Sequence, residues 1–152
     1  MPNAIILLIG ATKPARLGVY NGEGECAEVF TIEAPLTEGL YPAMKSIDER
    51  FTIVKLLYVR GPGSFMGLKL SYLFCKSFAF ARDIPFLAAD SFALSGGKPI
   101  FSRNGRRFVK KGETIEIESF DAPFAEALLP PKKLDARMFD KQTLPDYILS
   151  AA

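Results

Sequence analysis

Apolar and polar positions along the chain change period several times. Residues 4–9 are a continuous apolar run, the pattern of a strand buried on both faces. Thr12, Lys13 and Pro14 break it and 16–20 resume an extended pattern. Asn21-Gly22, a hairpin signal, joins that stretch to a third strand at 25–32. A helical period then governs 37–51, where Leu40, Met44, Ile47 and Phe51 fall on one stripe. Thr37 is placed as its N-cap, with Glu38 in the first turn to suit the helix dipole. Pro42 lies inside this helix, which counts against it on local grounds. A strand at 53–59, a long helix at 64–82 and a strand at 84–88 follow, and Asp90-Ser91 cap a short helix that stops at Gly96-Gly97.

Beyond residue 97 the pattern is poorer. Residues 99–102 and 106–110 flank Asn104-Gly105, a second hairpin signal, and 114–119 alternate strictly, as in a half-exposed strand. Residues 122–129 suit one short helix before Pro130-Pro131. The expected organisation is a first lobe over 1–97 and a reduced second lobe over 98–152.

The long helix is unusual. At 100° steps Met66, Leu70, Leu73, Phe74 and Ala81 share one broad apolar face, and Gly67, Ser71, Cys75 and Phe78 form an adjacent face of mostly small residues. Lys69 and Lys76 mark the only clearly wet side. A helix apolar over so much of its circumference has to be covered twice. The expectation is that its own sheet covers the large-residue face, and that the small face admits a helix, either the first one or one from another protein.

Composition narrows the chemistry. With 152 residues, 49% apolar and 24% charged, the chain is long enough for a real core, and its net charge of +2 argues for neither nucleic acid nor membrane. Cys26 and Cys75 have no ligand spacing and read as free thiols. The first ten residues lack a basic start and a cleavage site, and no stretch reaches the roughly 20 apolar residues of a membrane helix, so a cytoplasmic location is expected. The sequence contains no histidine, which removes His-based triads, His zinc ligands and His general bases together. Arg103, Arg106, Arg107, Lys110 and Lys111 cluster around the second hairpin, but Glu113, Glu116 and Glu118 offset them, and only Phe101 and Phe108 interleave.

The segment Arg60-Gly61-Pro62-Gly63-Ser64-Phe65-Met66-Gly67-Leu68-Lys69 links strand to long helix through a glycine turn, with Ser64 as N-cap. That geometry can point amides at a phosphate. Both familiar templates fail, however. A dinucleotide fingerprint needs glycine where Met66 stands, and a P-loop needs Gly-Lys-Ser/Thr where Gly67-Leu68-Lys69-Leu70 stands.

The same residues resemble the TsaB (YeaZ) family. Arg60-Gly61-Pro62-Gly63-Ser64-Phe65 and Gly67-Leu68-Lys69, followed by a small-residue helix and Ala89-Asp90-Ser91, are similar to that family's G-P-G-S-F-T-G-L-R segment. Thr37-Glu38-Gly39-Leu40-Tyr41-Pro42 is similar to its S-E-x-L-L-P, which accounts for the proline; Leu36 replaces the family's histidine. The match is specific over about residues 36–95 and nearly absent afterwards. It implies the ribonuclease H-like or actin-like ATPase (ASKHA) fold, an α/β mixed sheet flanked by helices, here with a truncated second lobe. In that superfamily the first strand typically ends on an aspartate facing phosphate and metal, and TsaB relatives keep Asp-Thr-Ser. Here Leu8-Ile9-Gly10-Ala11-Thr12 offers no acid, which leaves metal and attacking water without an anchor.

What the resemblance implies is a non-catalytic scaffold that pairs with TsaD in forming threonylcarbamoyladenosine in tRNA, joined by TsaE and tRNA, with ATP and metal held by TsaD. TsaD-like proteins carry a His-x-x-x-His motif that a chain without histidine cannot supply. The expected interface is the two first-lobe helices, through Leu40, Tyr41, Met44, Ile47, Gly67, Leu68, Ser71, Tyr72, Cys75 and Phe78, and the isolated chain could close on itself as a homodimer. The competing reading is a small ATP-binding or phosphoryl-transfer enzyme using the glycine loop, with Asp90 as the one acid in range. A third is a homologue that has lost its partner. A protease reading finds no nucleophile–base pair.

Overall fold

The computed structural model describes residues 1–101, 105–119 and 127–147. At its centre lies β1 (Asn3–Ile9), hydrogen-bonded antiparallel to β2 (Ala15–Tyr20) and parallel to β4 (Thr52–Gly61). β3 (Cys26–Ile32) pairs with β2 and β5 (Phe86–Asp90) with β4, giving the order β3-β2-β1-β4-β5. Neighbouring β1 residues point to opposite faces of this sheet. Ile6 and Leu8 enter one core cluster, with Leu17, Leu56 and Tyr58, while Leu7 and Ile9 enter a second, with Tyr20, Leu57 and Val59. That is why β1 is apolar at every inner position: both faces are covered.

Two helices cover the first face. α1 (Leu36–Asp48) lays Leu40, Met44 and Ile47 on it, and α2 (Phe65–Arg82) lays Cys75 and Ala79 beside them. A forked ion pair between Arg82 and Asp48 (2.7 and 2.9 Å) ties the C-terminal end of α2 to that of α1. α1 starts earlier than the sequence suggests. Pro35, not Thr37, is its N-cap and offers no side-chain acceptor, and Phe51 lies beyond the helix end, packed against the core. The Pro35 carbonyl instead accepts from the amides of Glu38 and Gly39 (2.9 Å each), opening the helix immediately after it. Pro42 sits within α1 on its exposed side, where the carbonyl left without a donor is not buried.

The first hairpin forms, but on a different glycine. Asn21 Oδ1 accepts from the amides of Glu23 and Glu25, and the left-handed position (φ +81°) falls on Gly24. α2 ends without glycine: Asp83 adopts φ +53°, and Ile84 N donates to Ala79 O. α3 (Ser91–Ser95) follows β5, capped by Asp90 and closed by Gly96 at φ +67°.

On the second face lies a small antiparallel sheet, β6 (Ile100–Phe101), β7 (Arg106–Lys111) and β8 (Thr114–Ser119), in that order. Its Ile100 and Phe108 are buried in the core cluster that contains Leu7 and Val59. The Asn104 position of the second hairpin and most of the helix expected at 122–129 lie outside the described residues; of that helix, 127–129 are described and are not helical.

Residues 127–147 then run as a strap held chiefly by backbone bonds. Leu128 N donates to Thr12 Oγ1, Tyr20 OH to Pro131 O, Cys26 N to Lys132 O and Leu134 N to Gly24 O. A 3-10 turn at Ala136–Met138 leads to Asp140, which exchanges two 2.9 Å backbone bonds with Ala88 on β5. The described strap ends at the glycine loop, where Asp146 N donates to Arg60 O (2.7 Å) and the Tyr147 ring lies 4.7 Å from that of Phe65.

Candidate functional site

The loop from Arg60 to Gly67 carries the sequence's sharpest motif, and its glycines serve close backbone packing. A Cβ on Gly67 would run into the carbonyl oxygen of Gly10, and one on Gly63 into that of Ala11. At Gly61, with φ +119°, a Cβ would sit 2.8 Å from Asp146 O and 2.9 Å from Leu68 Cδ1. Gly10 answers from the strand side, where a Cβ would overlap Ser71 Oγ. The end of β1, the start of α2 and the strap therefore interlock at glycine-only distances.

The polar groups of the loop are bonded inside the chain as well. Ser64 N donates to Ala11 O (2.8 Å), Ser64 Oγ accepts from Gly67 N (3.3 Å) and Ser64 O accepts from Leu68 N (2.9 Å). Pro62 O accepts from the buried Ser91 hydroxyl at 2.7 Å. Arg60 reaches sideways, its Nη1 being 3.3 Å from Ala88 O and 3.5 Å from both Asp140 Oδ1 and Gln142 O. Of the motif segment, Phe65, Met66 and Lys69 are exposed. Asp90, the acid that the strand order brings near the loop, accepts from Phe92 N at 2.7 Å as the cap of α3.

These residues do not fit a nucleotide with its metal. Among the described residues no three His, Cys, Asp or Glu side chains gather in one place. Ile9 and Gly10, at the end of β1, stand where a carboxylate would be needed, and the hydroxyl of nearby Thr12 already accepts from Leu128 N. A cleft of about 590 Å³ does open between the Thr12–Pro14 turn and the N-terminal ends of α1 and α2. Its lining is largely apolar, including Ile32, Leu36, Met66 and Leu70, and Lys13 and Glu33 are its only charged residues. One carboxylate opposite one ammonium is a poor match for a polyphosphate–magnesium pair.

The faces of α2 are the reverse of the expectation. Gly67, Leu68, Ser71, Cys75 and Ala79 are its buried residues, and burial pushes the Cys75 thiol up from its usual range. The small face lies on the chain's own sheet because glycine and serine let the helix axis approach the end of β1 closely. Three large apolar residues point outward instead: Met66 is 49% exposed, Leu73 48% and Phe80 88%, while Phe74 and Phe78 pack at the edge of the core. The three outward residues recur every seven residues, beside exposed Lys69 and Lys76. Those lysines were the available signal, since a stripe next to the wet side faces solvent.

The predicted interface set is therefore divided. Leu40, Met44, Ile47, Gly67, Leu68, Ser71 and Cys75 are core residues, closed to any partner in the folded chain. Tyr72 and Phe78 are half-buried, with Lys76 over the Tyr72 ring (5.4 Å) and Arg82 over Phe78 (4.5 Å). Only Tyr41 is freely presented, at 68% exposure. Met66, Leu73 and Phe80, exposed on the same helix, were not in that set.

The basic hairpin is compensated by its own carboxylates. Arg107 pairs with Glu118 (3.1 Å), and Lys111 lies 2.9 Å from Glu116 and 3.2 Å from Glu118. Their hydrogen bonds hold the Glu118 carboxyl below its usual range. Arg103 lies outside the described residues.

No protein-family model and no curated protein matches the chain. Solved structures do. YeaZ from Pseudomonas aeruginosa superposes with a TM-score of 0.53 at 18% identity, covering 88% of this chain and 69% of its own. An uncharacterized protein with similarity to peptidase YEAZ from Pseudomonas aeruginosa gives 0.54 at 19% identity with the same coverages. At these identities the likeness speaks for architecture: the chain has the fold of YeaZ, with a mixed five-stranded sheet flanked by helices.

Proposed function

We propose that this chain is a non-catalytic scaffold that pairs with a TsaD-type protein in forming threonylcarbamoyladenosine in tRNA, with TsaE and tRNA joining the assembly. The observation that carries the reading is the outward stripe of Met66, Leu73 and Phe80 on α2. Large apolar side chains grouped on one helix face mark a surface that another protein covers. The YeaZ fold and the TsaB-like loop support the choice of partner. Tyr41 on α1 and the Phe65–Tyr147 pair are further exposed apolar groups available to such a contact.

The non-catalytic part of the reading is supported by the loop. Its glycines meet backbone, Asp90 caps a helix, and the first strand ends without a carboxylate. ATP and metal belong to TsaD in this scheme. The ATP-binding alternative has no comparable observation in its favour. Within the chain, we propose that residues 1–97 are the scaffold lobe, and that 98–152 stand in for a second lobe by covering its far face and closing its glycine loop.

The test is size-exclusion chromatography with light scattering, on the chain alone and mixed with TsaD from the same organism, with and without ATP. A stable complex is expected for the wild type. Phe80→Asp or Leu73→Asp should weaken it at least tenfold while leaving circular dichroism unchanged, because neither side chain is buried in the monomer. A chain that ignores TsaD but binds ATP and magnesium by calorimetry overturns the scaffold in favour of the enzyme. Binding to neither leaves only the homologue without a partner.

A further inference from the structure

The α2 surface also carries information about what kind of helix it accepts. The helix contains Lys69, Lys76 and Arg82 and no Asp or Glu. Arg82 is neutralised by Asp48 on α1. Among the described residues, neither Lys69 nor Lys76 is in ion-pair distance of a carboxylate, and both are exposed beside the Met66–Leu73–Phe80 stripe. The two lysines are seven residues apart, as the apolar residues are, so the positive edge runs parallel to the stripe.

We infer that the outer face of α2 takes an amphipathic helix whose apolar stripe is flanked by acidic residues, in preference to a second copy of this chain. This rests on the reading of that face as a partner surface. In a symmetric contact of stripe on stripe, each copy presents the same patch, so four lysine ammonium groups converge on one seam. Like charges brought together at a desolvating contact disfavour it, whereas carboxylates opposite Lys69 and Lys76 favour it and set the register. The apolar stripe supplies attraction to either occupant, and the lysine edge chooses between them.

The test uses the full chain and two synthetic amphipathic peptides of about three heptads, each with a leucine stripe, one flanked by glutamate and the other by lysine. Titration by fluorescence anisotropy should show the glutamate-flanked peptide binding at least tenfold more tightly. The double variant Lys69→Glu/Lys76→Glu should reverse that order. Its sites are exposed, so it should fold, and the neutral Lys69→Gln/Lys76→Gln pair should abolish the preference if it does not. Raising the salt should narrow the gap. Equal affinity for the two peptides, or self-association by light scattering as tight as acidic-peptide binding, overturns the inference. The readings fail separately. A TsaD complex insensitive to Lys69→Glu/Lys76→Glu removes the charge selection and leaves the scaffold. Acid-selective peptide binding without any TsaD complex removes that partner and leaves the selection.

Discussion

Gly67→Ala tests whether the glycine loop exists for packing. By local preference alone the change should help, since alanine in a helix interior is favoured over glycine by about 1 kcal/mol. Position 67 lies in the first turn of an 18-residue helix, but the added methyl meets the Gly10 carbonyl, whose carbon would be 3.0 Å away and whose oxygen would be closer still. Both are backbone atoms at the end of the central strand, so neither can rotate aside. Restoring ordinary contact requires α2 to retreat by roughly 1 Å, loosening the seat of Leu68, Ser71 and Cys75. Inserting a methyl into a close-packed site costs about 1–3 kcal/mol. The contact here is to rigid backbone, so the upper end applies. Subtracting the propensity gain leaves a net loss of about 2 kcal/mol, or a fall in Tm of about 4–8 °C for a chain of this size. Urea and thermal unfolding of the two proteins, read by circular dichroism, measure it. An alanine variant as stable as the wild type would refute the argument, because propensity would then have outweighed a clash that is not there.

Other consequences can be checked on the same preparations. Cys26 is half-buried and Cys75 fully buried, with its thiol pushed up by desolvation, so a disulfide reagent should label Cys26 in the native chain and reach Cys75 only on unfolding. Equal labelling rates in native buffer would contradict the packing of α2. The Arg82 hydrogen bonds hold the Asp48 carboxyl below its usual value, so this pair stabilises the fold above the unfolded-state pKa near 4, and its contribution is lost as the pH falls through the lower folded-state value. Because both side chains are partly exposed, Asp48→Asn should cost only about 0.5 kcal/mol at neutral pH, with the difference vanishing toward about pH 2. A gap that persists in acid would mean the aspartate acts through something other than its charge.

Much of the fold was legible because it is written in periods. A run with both neighbours apolar marked the central strand, alternation marked β8 to the residue, and Ser64 announced the start of α2. Three local signals were overruled, two by neighbouring residues in the chain and one by a contact distant in sequence. Asn21-Gly22 signalled the hairpin, but the Asn21 side chain captured two amides and the left-handed position fell on Gly24. Thr37 looked like a cap, but the cap is Pro35, two residues earlier. On α2 both faces are apolar, so periodicity could not say which one is inside. That was decided by Gly10, 57 positions before Gly67 and invisible to any window along the helix. The strap was unreadable for a similar reason: its bonds to Gly24, Ala88 and Arg60 are made largely by backbone, which every sequence possesses.

The loop and the outward stripe are one device seen from two sides. Seating Gly67, Ser71 and Cys75 on the sheet fixes the rotation of α2 about its axis, and a helix seated by its small side must present its large side outward. The loop then fixes where the helix begins. Ser64 is tied to Ala11 at one end of the interlock, and Arg82 is tied to Asp48 at the far end of the helix. Between those two ties Met66, Leu73 and Phe80 are held in line with little freedom to lose on association, which is the condition under which exposed apolar area converts efficiently into affinity. A glycine-rich loop of this kind needs no ligand to account for its composition, because its glycines set the position of a helix whose opposite side is the proposed partner surface. Loosening the seat should therefore weaken partner binding even though no residue of the stripe has changed. Gly67→Ala should lower affinity for the acidic peptide, whereas a substitution of equal destabilisation placed in the β7–β8 hairpin should not.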